Sequence, residues 1–177
     1  EALYWLEQSA RNGDPRGQYT LGTWYLKRGN VQNALRWLTA AADLSSSTAQ
    51  YRLGVLYLKG EQVEKNWELA VRYLTASAVR GNQYAQYTLG SLYLSGDGIS
   101  RDEALGREWL SRSAAQGNSY AQHLLDHPDQ NWSIAAQSVT RLLYHMSRIF
   151  EDNCKTDAMH RGLQIDRKRR QQLRERR

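Results

Sequence analysis

Apolar and polar positions along this chain recur in two alternating registers. The first reads Gln18-Tyr19-Thr20-Leu21-Gly22-x-x-Tyr25-Leu26, then Gln50-Tyr51-Arg52-Leu53-Gly54-x-x-Tyr57-Leu58, then Gln86-Tyr87-Thr88-Leu89-Gly90-x-x-Tyr93-Leu94, at offsets of 32 and 36 residues. The second keeps the same spacing: Trp5-Leu6, Trp37-Leu38, Tyr73-Leu74 and Trp109-Leu110, with Ala10, Ala42, Ala78 and Ala114 four residues beyond each leucine. Within the second register the apolar and small residues fall at i, i+3, i+4 and i+7, the stripe of an amphipathic helix. Ala34, Trp37, Leu38 and Ala41 form one such set, matched by Ala70, Tyr73, Leu74 and Ser77 and by Gly106, Trp109, Leu110 and Ser113. A fixed period of this length predicts an all-α solenoid of stacked helix pairs.

Glycine marks both the crossings and the ends of these helices. A glycine in mid-helix costs about 1 kcal/mol relative to alanine, so the recurrence of Gly22, Gly54 and Gly90 needs a compensating reason. The expectation is that the second helix of the same repeat crosses there, where only a missing side chain lets the backbones approach. Gly60 and Gly96 are placed to end first helices. Arg80-Gly81-Asn82, Gln116-Gly117-Asn118 and Arg11-Asn12-Gly13-Asp14-Pro15 are placed to end second helices. Repeat one is four residues shorter: Arg28-Gly29-Asn30-Val31-Gln32 replaces a longer loop, and Leu44-Ser45-Ser46-Ser47-Thr48 stands where the others use Gly-Asn.

The pattern resembles the Sel-like repeat family, a branch of the tetratricopeptide-like solenoids. The resemblance is carried by Leu89-Gly90-Ser91-Leu92-Tyr93, Gly96-Asp97-Gly98 and Ala114-Ala115-Gln116-Gly117-Asn118, and it covers about residues 2–125. It implies a right-handed superhelix of antiparallel helix pairs, with a half repeat, three repeats and the start of a fourth over residues 1–125. The chain opens on Glu1, inside a second helix, and so reads as a piece of a longer protein or as a trimmed one.

Beyond Leu125 the period stops at Asp126-His127-Pro128-Asp129, a helix-breaking run. Asn131 or Ser133 can cap a further helix bearing Ile134, Ala135, Val139, Leu142, Leu143, Met146, Ile149 and Phe150. A capping helix within 126–153 is expected to cover the open end of the last repeat. Residues 154–177 read as a linker and a basic tail. Of the net charge of +6, the tail from Asp166 to Arg177 holds +5. A polyanionic partner would therefore meet the tail and not the nearly neutral body.

Candidate chemistry is sparse. The single Cys154 excludes a disulfide framework within the chain and suits a reducing compartment. No His or Asn partner motif surrounds it. His123 and His127 stand at i, i+4, a spacing that can ligate zinc. Pro128 ends the helix at once, however, and no third ligand is near in sequence, so a solvated helix end is the simpler reading. Gly96-Asp97-Gly98 lacks the glycine and lysine of a phosphate loop. Asp102-Glu103 suits the positive end of a helix dipole. No catalytic set, metal site, cofactor site or small-molecule site is discernible, and no apolar run approaches the roughly 20 residues needed to span a bilayer.

Two surfaces remain. In tetratricopeptide-like arrays the first helices line the concave face, which predicts three partner-binding columns. These are Tyr19, Tyr51, Tyr87 and His123; Thr23, Val55 and Ser91; and Lys27, Lys59 and Ser95. Tyrosine combines apolar area with a hydrogen-bonding tip and is favoured at interfaces, although the same rings could pack between repeats. Lys27 and Lys59 would suit an acidic peptide. The other surface is the tail, whose Arg167, Lys168, Arg169, Arg170, Arg174, Arg176 and Arg177 can neutralise phosphates of DNA.

The C-terminal part, Thr140-Arg141-Leu142-Leu143-Tyr144-His145-Met146-Ser147-Arg148-Ile149-Phe150 with Ile165-Asp166-Arg167-Lys168-Arg169-Arg170, resembles the C-terminal region of mobilisation relaxases from Gram-positive conjugative elements. That likeness implies a bacterial cytoplasmic setting and an accessory region of a larger enzyme. The histidine cluster of relaxase nicking chemistry is absent, so no catalytic residue is carried over. The expected role is a protein-interaction scaffold, with DNA contact through the tail as the alternative.

Overall fold

The computed structural model describes residues 2–126, which form helices joined by short turns. In order these are α1 (Ala2–Arg11), α2 (Pro15–Lys27), α3 (Val31–Asp43), α4 (Ser47–Lys59), α5 (Trp67–Val79), α6 (Gln83–Ser95), α7 (Glu103–Ala114) and α8 (Ser119–Asp126). Packing is mainly between consecutive helices, and it is most extensive within the pairs α2–α3, α4–α5 and α6–α7. This is the quasi-one-dimensional order of a solenoid, in which each helix pair rests on its neighbours. The expected capping helix and basic tail, along with His127 and Cys154, lie outside the described residues.

Local sequence sets the helix boundaries. Seven helices begin at a side chain that accepts from a backbone N–H of the first turn: Asp14, Asn30, Ser46, Asn66, Asn82, Asp102 and Asn118. Each satisfies donors that a helix start otherwise leaves unpaired, worth about 1 kcal/mol apiece. The Ser9 hydroxyl, 2.8 Å from Asp14, together with the N–H groups of Arg16 and Gly17, holds the Asp14 carboxyl below its usual range. Gly60 and Gly96 end α4 and α6 in the left-handed conformation, as the sequence predicts. At the ends of the second helices Gly13, Gly81 and Gly117 have φ between +80° and +88°; in repeat one the same place is held by Ser45, at φ +63°.

The mid-helix glycines sit at the helix crossings. A Cβ built on Gly22, Gly54 or Gly90 would lie 2.7 Å from the Cγ of Leu38, Leu74 or Leu110 respectively. It would also lie 3.2, 3.2 and 2.9 Å from the carbonyl oxygens of Ala34, Ala70 and Gly106. Small residues on both helices thus bring the backbones together, and the leucines fill the space beside them. Leu21, Leu38, Leu53, Leu74, Leu89 and Leu110 are all fully buried, each burial contributing roughly 1.5–3 kcal/mol.

Polar staples join one repeat to the next. The Nε2 of Gln18, Gln50 and Gln86 donates to the carbonyl of Ala10, Ala42 and Ala78 at 3.2, 3.1 and 3.0 Å. The periodic glutamine and the periodic alanine therefore form one device: a first helix tied to the end of the preceding second helix. Within repeats, Ser77 and Ser113 donate to the carbonyls of Ser47 and Gln83 at 2.6 and 2.7 Å. At α8 the staple ends, because Gln122, though in register, donates to Asp126 instead.

The loops explain the double glycine of repeat three. Gly98, at φ +70°, lies against the ring of Trp67 so closely that a Cβ there would overlap it. Lys65 covers the same ring, its Nζ 4.1 Å from the centroid.

Candidate partner-binding face

The structure divides the ten positions of the three expected columns. Lys27 and His123 are exposed, and Tyr19, Thr23, Lys59 and Ser95 are half-buried. Tyr51, Val55, Tyr87 and Ser91 are buried, with Tyr51 only 2% and Tyr87 only 4% accessible. These four fill the joint between repeats and do not present side chains to a partner. The reason is the direction of the tyrosine column. Tyr51 lies 6.1 Å, centroid to centroid, from Tyr84 on the next first helix, and its phenol faces the side chain of Thr88. Burial pushes the Tyr51 phenol well above the ordinary tyrosine range and raises Tyr87 to about 12.

The second column changes character along the stack. The Thr23 hydroxyl donates to the carbonyl of Thr20 at 2.8 Å, and that of Ser91 to the carbonyl of Tyr87 at 3.0 Å. Ser95, the last of the third column, donates to the carbonyl of Leu92 and accepts from the N–H of Asp97. The Thr23 and Ser91 hydroxyls thus bond back onto their own helices, and Ser95 closes the end of α6.

Among the described residues the exposed first-helix side chains lie on α2 and α8, the two ends of the described array, and none on α4 or α6. Arg16, Thr20, Lys27 and Arg28 are exposed, with Thr23 and Trp24 half-buried between them. The Arg28 guanidinium carbon stands 3.8 Å from the Trp24 ring centroid, within stacking range, and Tyr25 meets Trp24 edge-on at 5.0 Å. Trp24 was not among the sequence-based candidates. Its signal was a departure from the repeat, since Leu56 and Leu92 stand at the corresponding place. On the second helices α1 and α5, Tyr4, Trp5 and Val79 are exposed, Trp5 at 69% and Val79 at 67%.

Among the described residues no group of three or more His, Cys, Asp and Glu side chains gathers to hold a metal ion, and no helix is long and apolar enough to cross a membrane. The seven cations expected to contact nucleic acid lie outside the described residues.

Comparison with known proteins bears on the whole array. The Sel1 repeat model matches residues 1–14, 15–46, 47–82 and 83–118. The crystal structure of a Sel1 repeat protein from Oxalobacter formigenes is 36% identical, with a TM-score of 0.66 over 71% of this chain and 97% of that one. The structure of c5321, described as a protective antigen of uropathogenic Escherichia coli strains displaying an SLR fold, is 27% identical, with a TM-score of 0.65. That match covers 77% of this chain and 33% of c5321, so the chain spans about a third of that protein. Helicobacter pylori cysteine rich protein B, at 20% identity and a TM-score of 0.57 over 70% of this chain and 92% of that one, shares the fold. No curated protein is significantly similar to the chain.

Proposed function

We propose that this chain, which belongs to the Sel1-repeat family, is a protein-interaction scaffold that forms an accessory region of a larger bacterial protein. Sel1-repeat proteins are generally protein-interaction scaffolds. The observation that carries the reading here is a rigid array of paired helices that presents polar first-helix side chains. Thr20, Lys27 and Arg28 reach solvent around a half-buried tryptophan, on helices held by glycine crossings and glutamine staples. A pre-organised face spends little of its binding energy on ordering itself. Lys27, Thr23 and Lys59 of the expected columns belong to this reading; His123 marks the far end.

Selection of a displayed random-peptide library against the full chain tests it. Enriched peptides whose binding is lost in Thr23→Arg or Lys27→Glu support the reading. A library that yields no binder, or binders indifferent to both substitutions, rejects it.

A second reading rests on the seven cations of residues 166–177. In it the solenoid is an accessory module of a mobilisation relaxase, and the tail contacts DNA phosphates. Each neutralised phosphate steepens the fall of log K with log salt by about 0.9 for duplex DNA. Titration of single- and double-stranded oligonucleotides across a salt series, with the full chain and with a variant carrying Gln at Arg167, Lys168, Arg169 and Arg170, decides it. Steeply salt-dependent binding that the variant lacks supports DNA contact. Binding that is absent or insensitive to the variant removes this reading and leaves the scaffold.

A further inference from the structure

We infer that the edge formed by the turns after α3 and α5 docks an amphipathic segment of a partner protein, with Leu44 and Val79 meeting its apolar side chains and Arg80 reading a carboxylate. The inference goes beyond the scaffold reading, since it concerns a different face of the array.

Exposure is the first support. Leu44 is 50% and Val79 67% exposed, and among the described residues the other exposed large apolar side chains, Tyr4, Trp5 and Tyr120, lie on the end helices α1 and α8. The turn after α3 lies between those after α1 and α5, and the turn after α5 between those after α3 and α7. The exposure of Leu44 and Val79 is thus a property of the inner repeats. Apolar side chains scattered singly need no explanation, whereas a pair on one edge marks a contact surface.

The repeat pattern is the second. Leu44, Arg80 and Gln116 occupy one place in successive repeats. In repeat three the Gln116 Nε2 donates to the Oε1 of Gln86 at 2.7 Å. Leu44 has no donor to offer and Arg80 turns elsewhere, so the Oε1 atoms of Gln18 and Gln50 are buried without a hydrogen-bond partner. A buried acceptor left unbonded lowers stability. Ser45, beside Leu44, adds a left-handed backbone at φ +63° where the other turns have glycine. Departures from the rules that the repeat itself states therefore gather at this edge. Such gatherings mark places selected for something other than stability.

Geometry is the third. Arg80 crosses from the end of α5 to the turn after α3, its Nη2 donating to the Ser45 Oγ at 2.9 Å and its Nη1 to the Ala76 carbonyl at 3.1 Å. The two bonds hold the guanidinium in place, which lowers the entropic cost of binding. Each terminal nitrogen keeps a second hydrogen for a carboxylate. The bond to Ser45 also brings Leu44 and Val79, sequence neighbours of its two ends, to one edge. Asp43 and Arg80 are the only charged residues in 43–49 and 75–84, and among the described ion pairs none joins them. The edge therefore takes one carboxylate at Arg80 and repels a second near Asp43.

The test uses the full chain and three labelled helical peptides, read by fluorescence anisotropy. The first carries leucines along one face and a single glutamate; the second has serine for each leucine, and the third lysine for the glutamate. Only the first is expected to bind. Leu44→Ser with Val79→Ser should weaken its binding about tenfold, and so should Arg80→Gln. Arg80→Gln should at the same time raise the melting temperature by a few degrees, because a glutamine there can donate to Gln50 as Gln116 does to Gln86. Loss of binding in a variant that melts higher is a result that damage to the fold cannot produce. Equal binding of the three peptides, binding of none, or binding indifferent to the substitutions at Leu44, Val79 and Arg80 would overturn the inference. So would an Arg80→Gln variant that melts no higher than the parent. Binding lost in Lys27→Glu but kept in the Leu44 and Val79 variant would overturn it as well, and would leave the scaffold reading standing.

Discussion

Gly54 and Leu74 meet so closely that a methyl group on the glycine would stand 2.7 Å from the Cγ of the leucine and 3.2 Å from the Ala70 carbonyl. Both neighbours belong to α5, across the crossing of repeat two. Gly54→Leu is expected to lower stability by about 3 kcal/mol or more, because neither backbone nor a fully buried leucine can give way. The gain in helix propensity, up to about 1 kcal/mol, cannot offset this. Lys59→Ala, five residues on, should shift the melting temperature little. Thermal unfolding followed by circular dichroism compares the two, and coincident curves would refute the crossing.

Ser45 holds a left-handed backbone at φ +63° where the other repeats have glycine. That conformation costs a non-glycine residue about 1–2 kcal/mol, against about 0.5–1 kcal/mol of extra chain entropy for glycine. The substitution Ser45→Gly also loses an exposed hydrogen bond from Arg80, at 2.9 Å, which contributes little. A net gain of about 0.5 kcal/mol is expected, seen as a higher melting temperature. Ser45→Ala keeps the strain and loses the bond, so it should melt lower than the parent.

The hydroxyls of Ser77 and Ser113 are buried and bonded to carbonyls of the first helix of their own repeat. Ser77→Ala and Ser113→Ala should each cost about 1 kcal/mol. The two sites lie in different repeats without a shared partner, so their effects should add. Urea unfolding of the single and double variants measures this; a double variant no weaker than either single one would show that the bonds contribute nothing.

Tyr87 keeps its proton to about pH 12, and burial raises Tyr51 and Tyr57 in the same direction. A raised folded-state pKa means that the folded chain holds the proton more tightly than the unfolded one. The contribution is therefore complete below the unfolded value near 10 and disappears as pH rises toward 12. Alkaline unfolding is expected in that window, coincident with tyrosinate absorbance. Tyr87→Phe should move the midpoint to higher pH; a midpoint unmoved by this change would place the alkaline transition elsewhere.

Much of this was legible in the chain because the repeat states each rule several times. The crossing role of Gly22, Gly54 and Gly90 and the caps at Gly60 and Gly96 are local or intra-repeat properties, and the structure bears them out. The glutamine staple was visible as a periodic Gln and a periodic Ala eight residues apart, but periodicity alone did not say that the two touch. The partner-binding columns were half legible. Helical spacing put Tyr51, Val55 and Lys59 on one stripe, yet burial divides that stripe, with Lys59 half open and the other two closed.

The sequence by itself determined the helices, their pairing and their period, since propensity, capping and amphipathic spacing act within a few turns of chain. Only the tertiary structure decided which side of each first helix stays open. Tyr51 is covered by Tyr84 and faces Thr88, residues 33 and 37 positions away, and those contacts exist only once one repeat has stacked on another. Trp24, at the place of the buried Leu56 and Leu92, carries the Arg28 guanidinium on its ring, a contact that the repeat pattern did not announce and only the three-dimensional structure shows.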